Sequence, residues 1–173
     1  MTAKQTELID SFLKGIPVEI KTMFLQLIEY AVELGYTPKR TKTSLFGLDF
    51  RSAKLGQTIM KLEQGKPDKN APEKIGEPTL RLRFFAASKY SEVFENSIKK
   101  VIETFNYKYT GCYGCGRCDG NDGYQISYPD GRNYFRCGSE LIGIDGYTIS
   151  HLEEIKQLLK TQNEYYKKRS SKN

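Results

Sequence analysis

The chain has 173 residues, 38% apolar and 28% charged, with 27 Lys plus Arg against 21 Asp plus Glu and a net charge of +6. That length fits one domain with its own core, and no apolar run reaches the roughly 18–20 residues of a membrane-spanning helix. The positive balance favours anionic partners, nucleic acid among them. The opening "MTAKQTELIDSFLKG" has neither the apolar stretch nor the small-residue cleavage signal of a secretory leader, which predicts a cytoplasmic protein.

Residues 5–14 read as a short amphipathic helix with Leu8, Ile9, Phe12 and Leu13 on one side and Gly15 at its end. Pro17 then sits at the expected first position of the next helix. In that helix Ile20, Met23, Phe24, Leu27, Ile28 and Ala31 keep the i, i+3, i+4, i+7 spacing, and Gly35 closes it. The period then drops to two. Phe46, Leu48 and Phe50 mark one strand and "QTIMKLE" a second. Residues 65–78, "GKPDKNAPEKIGEP", read as an exposed and mobile loop. In "TLRLRFFAA", Leu80, Leu82 and Phe84 alternate with Arg81 and Arg83, which places both arginines on a solvated face.

A helix follows from the N-cap candidate Ser91 through Phe94, Ile98, Val101, Ile102 and Phe105. "YQISY" and "NYFRC" flank the turn signal "YPDGRN" and read as a hairpin. "SELIGIDGYT" holds a short strand. Ser150 and Glu153 have capping-box spacing at the head of a last helix that runs to Tyr165 or Tyr166. The order predicts a single α+β domain over residues 1–166, with a mostly antiparallel sheet covered by about four helices. Residues 167–173 read as a basic, flexible tail.

All four cysteines fall in residues 109–138, as Cys112, Cys115, Cys118 and Cys137 in the pattern C-x2-C-x2-C-x18-C. In a reducing compartment such a cluster points to metal or redox chemistry before disulfides. Glycines between the first three allow tight turns, and the hairpin returns Cys137 towards them. Four thiolates at one point would make a closed, structural zinc site, and Zn2+ is the first reading. A [4Fe–4S] cluster is the competing one, since the C-x2-C-x2-C run resembles ferredoxin spacing, although the fourth cysteine and its proline are missing. Free thiols or a disulfide are the third.

His151, the one histidine, lies 14 residues after Cys137 and reads as a surface residue at a helix start. No serine elbow, phosphate loop or paired carboxylate is evident, so a binding protein is favoured over an enzyme. Aromatic and basic residues interleave around the cysteines. Arg117, Tyr128, Arg132, Tyr134 and Arg136 are the candidates to meet an anionic ligand, nucleic acid or a protein partner.

Overall fold

Two rows of apolar side chains organise the sheet. The computed structural model describes residues 1–67, 69, 76–116 and 118–171. Its elements run α1 (Ala3–Lys14), α2 (Val18–Glu33), β1 (Thr37–Arg40), β2 (Gly47–Ser52), β3 (Gln57–Glu63), β4 (Thr79–Leu82), α3 (Glu92–Thr104), β5 (Gly123–Ser127), β6 (Asn133–Cys137), β7 (Ile142–Ile144) and α4 (Leu152–Ser170). The architecture is α+β. One antiparallel sheet has the order β1-β2-β3-β4-β7, and β5 and β6 pair separately as a hairpin.

Register aligns Leu48, Leu62, Leu80 and Ile144 in one row and Phe50, Met60, Leu82 and Ile142 in the next. All eight are buried. They form one core with Phe12 of α1, Met23, Phe24 and Leu27 of α2, Phe94 and Ile98 of α3, and Ile155 and Leu159 of α4. Fully burying side chains of this size contributes roughly 1.5–3 kcal/mol each before chain entropy is counted. The opposite face carries Lys39, Asp49, Lys61 and Arg81 in a single charged register row. There Glu63 meets Lys61 at 3.1 Å and Arg81 at 3.7 Å.

Several local expectations are revised. Pro17 is the N-cap of α2, not its first helical residue. Gly35 lies one position beyond the Leu34 cap, in the left-handed region with φ +92°. The edge strand β1 carries no apolar alternation in "TPKR", and its proline and basic residues suit an edge. The Ser150–Glu153 box does not form. Instead Thr148 heads a 3-10 turn at Ile149–His151, and its amide donates to His151 Nδ1 at 3.0 Å. Helix α4 runs on to Ser170, through the first part of the expected tail. Half of the expected loop at 65–78 lies outside the described residues. Among the described residues no helix is long and apolar enough to cross a membrane.

The hairpin has little core of its own and is fastened to the rest through Tyr124. Its ring packs edge-on against Phe84 at 4.9 Å, and its hydroxyl accepts the Phe84 amide at 3.1 Å. Burial pushes the Tyr124 pKa well up, so the hydroxyl stays neutral. Tyr124→Phe should leave the buried Phe84 amide without a partner and cost about 1–3 kcal/mol in urea unfolding. Tyr128→Phe, at an exposed hydroxyl contact with Glu103, should cost well under that.

Candidate functional site

The segment after α3 is set by an unusual helix exit. Asn106 and Tyr107 both adopt positive φ, 49° and 61°, a conformation that non-glycine residues rarely take. The exit turns Tyr107 onto Tyr134, with ring centroids 4.7 Å apart and planes inclined by 29°. Tyr128 meets Tyr134 edge-on, and the Arg132 guanidinium lies 5.2 Å from the Tyr107 ring centre and 5.4 Å from that of Tyr128. Arg132 is also paired with Asp130 at 2.7 Å. Tyr128, Arg132 and Tyr134 are thus brought together, as one self-associated patch at the hairpin.

Arg136 is elsewhere and has a different role. It is only 3% exposed. Its guanidinium donates to the Tyr109 carbonyl and to Glu140, and it lies 5.5 Å from the Tyr113 ring centre. The Gly111 amide donates to the Phe135 carbonyl at 2.7 Å. These bonds lash the start of the cysteine segment along β6. Arg136 is therefore an internal staple and not a residue of an outward surface. Arg117 lies outside the described residues. The outward groups are Phe105, Tyr109 and Tyr113, and Phe105 and Tyr109 pack edge to face at 5.1 Å. Phe105, expected within the helix, is instead its C-cap and is 45% exposed.

All four cysteines are free thiols. Cys115, Cys118 and Cys137 line one small cavity of about 30 Å³, together with Gln57, Arg83, Asp122, Ser139 and Tyr166. Cys112 stands apart from it, with its sulfur 3.4 Å from the Gly114 amide. Sharing a cavity is not ligation: among the described residues no group of three or more His, Cys, Asp or Glu side chains is drawn together so that it could hold a metal ion. His151 does not line the cavity. Its Nδ1 is engaged in the turn before α4, in keeping with a helix-start residue.

Cys137 is the buried member of the set. Burial pushes its thiol pKa up. Hydrogen bonds from the Ser139 hydroxyl, the Ser139 amide and the Tyr113 amide outweigh that, and the net shift is downward. The Cys137 sulfur lies 3.3 Å from Ser139 Oγ.

The site is held by groups that sequence spacing does not reveal. Asp122 accepts from Tyr165 and from Arg169, which ties the entry of β5 to α4. Burial and the Asp122 contact push the Tyr165 pKa up to about 12. Arg83, expected on the solvated face with Arg81, is 5% exposed and lines the cysteine cavity, while Arg81 is exposed as expected. Gly138, next to Cys137, sits so close to Phe85 that an added Cβ would fall 2.4 Å from the ring.

A cavity of about 30 Å³ accommodates roughly one or two water-sized bodies. No family model, characterised protein or solved structure matches the chain.

Gly138→Ala should force Phe85 or the backbone beside Cys137 to move, lowering stability by roughly 1–3 kcal/mol. Gly143 has open space where its Cβ would go and ordinary φ. Gly143→Ala should therefore be neutral or raise stability by up to about 1 kcal/mol. Thermal unfolding of the two variants, side by side with the parent, checks the contrast.

Proposed function

We propose that the protein is a non-enzymatic binding module whose cysteine segment is ordered by zinc. The observation that carries this reading is the gathering of Cys115, Cys118 and Cys137 around one ion-sized cavity. Cys112 is the fourth thiol, on the same Gly-rich loop. Gly114 and Gly116, at φ 62° and 68°, give that loop backbone states in which the thiols can turn inward. Soft thiolate donors select zinc over hard cations. With four protein ligands the ion would be closed to substrate and structural. Its binding energy would order a segment that has few apolar contacts.

The surface that such a centre would hold in place is aromatic and lies on a chain of net positive charge. Phe105, Tyr109 and Tyr113 are exposed beside Lys108, and the Tyr128–Arg132–Tyr134 patch lies on the adjoining hairpin. Exposed rings amid positive charge suit the stacking of unpaired bases along an anionic backbone. Single-stranded nucleic acid is the partner this surface fits best.

Elemental analysis of protein prepared without oxygen should give one zinc per chain, and Cys115→Ser and Cys137→Ser should each lose it. Iron with a visible absorption band near roughly 400 nm would favour the [4Fe–4S] alternative. Metal-free protein with a fully ordered cysteine segment would sink the metal reading. Tyr109→Ala should weaken binding of a fluorescent single-stranded oligonucleotide at low salt by about 5-fold or more, given roughly 1–3 kcal/mol per stacked base. No binding by the parent protein at any salt concentration would rule out that partner.

A further inference from the structure

The cavity that gathers three thiols also contains a cation with no counter-ion. Arg83 is 5% exposed, and a guanidinium stays charged in any protein environment. Burying it among neutral dipoles alone is costly. Its contacts are all neutral: Gln57 Oε1 at 3.1 Å, the Tyr166 hydroxyl at 3.4 Å and the Ser139 carbonyl. Its Nε has no hydrogen-bond partner among the described residues.

The nearby carboxylates are committed to other cations. Asp122, in the same cavity, is paired with Arg169, which also lines it, and Glu140 is paired with Arg136. Among the described residues no carboxylate forms an ion pair with Arg83. The groups in that cavity still able to become anions are the sulfurs of Cys115, Cys118 and Cys137 and the Tyr166 phenol. Burial pushes the phenol's pKa up, and it stays neutral. Ser139 links the cation to the thiols, since its carbonyl accepts from Arg83 while its hydroxyl lies against the Cys137 sulfur.

We propose that Arg83 is the built-in countercharge of a thiolate metal centre formed by Cys115, Cys118 and Cys137 with Cys112. This deepens the zinc reading and rests on it. Four thiolates around a divalent ion leave an excess of two negative charges, and a buried guanidinium offsets part of that excess. Arg83 touches no metal itself. It acts through charge, and through its hold on Ser139 it positions the groups that face Cys137.

The test is zinc affinity, measured by competition with a chromophoric chelator, for the parent chain, Arg83→Met, Arg83→Lys and Gln57→Glu. Cobalt(II) spectra check that the thiolate ligand set is unchanged. Arg83→Met should weaken zinc binding by about 10-fold or more, the scale of outer-shell losses at metal sites. Arg83→Lys keeps the charge and should recover most of that loss. Gln57→Glu leaves Arg83 in place but puts a carboxylate against it, and should weaken zinc binding in the same direction. Gln57 is only half-buried, so this variant gives the answer even where Arg83→Met fails to fold. Parent-like affinity in both Gln57→Glu and a folded Arg83→Met would overturn the countercharge alone. Failure of the parent chain to bind zinc at all would overturn the centre as well, which separates the two failures.

Discussion

The two apolar rows that cross β2, β3, β4 and β7 are the constraint on which the other parts depend. Leu48, Leu62, Leu80 and Ile144 form one row, and Phe50, Met60, Leu82 and Ile142 the other. A slip of one residue in any strand would turn its apolar set towards the charged face. With the register fixed, the helices have one surface to cover, and Phe84 is fixed at the exit of β4. That residue anchors Tyr124 and through it the hairpin. The cysteine segment is thus the outermost link of a chain of packing that begins at the sheet.

The hairpin is held at three points of different chemistry. Tyr124 supplies packing and one buried hydrogen bond, Asp122 an ionic tie to α4, and Arg136 a clamp on the backbone of residue 109. Between these points the Gly-rich loop has almost nothing to bury. Arg83 lines the same cavity as Cys115, Cys118 and Cys137.

The polar interior near the site comes largely from α4. Gln162 and Asn163 are buried beside Tyr166, and the Gln162 side-chain oxygen accepts the Ala86 amide at 3.0 Å. A helix with an amide-bearing inner face packs against the end of β4 where the arginine emerges. From the same helix, the Tyr166 hydroxyl lies 3.4 Å from the Arg83 guanidinium. The composition of α4 and the burial of Arg83 are therefore parts of one arrangement.

Periodicity made much of the fold legible. The helices, strands β2 to β4, the hairpin and β7 follow from spacing that repeats within each segment, because backbone geometry is local. The clustering of thiols along the chain was equally plain. What spacing misjudged were Arg83, Arg136 and Phe105. Alternation put Arg83 beside Arg81 on the outside, and composition put Arg136 on a binding surface. Whether a side chain meets water depends on what packs over it, and Tyr166, Ser139 and Gln57 come from distant parts of the chain. Local spacing specifies most of the elements and the cysteine set. Which thiols share a cavity, and that a buried cation lines it with them, follows from the packing, since charge and burial at one point depend on segments far apart in the chain.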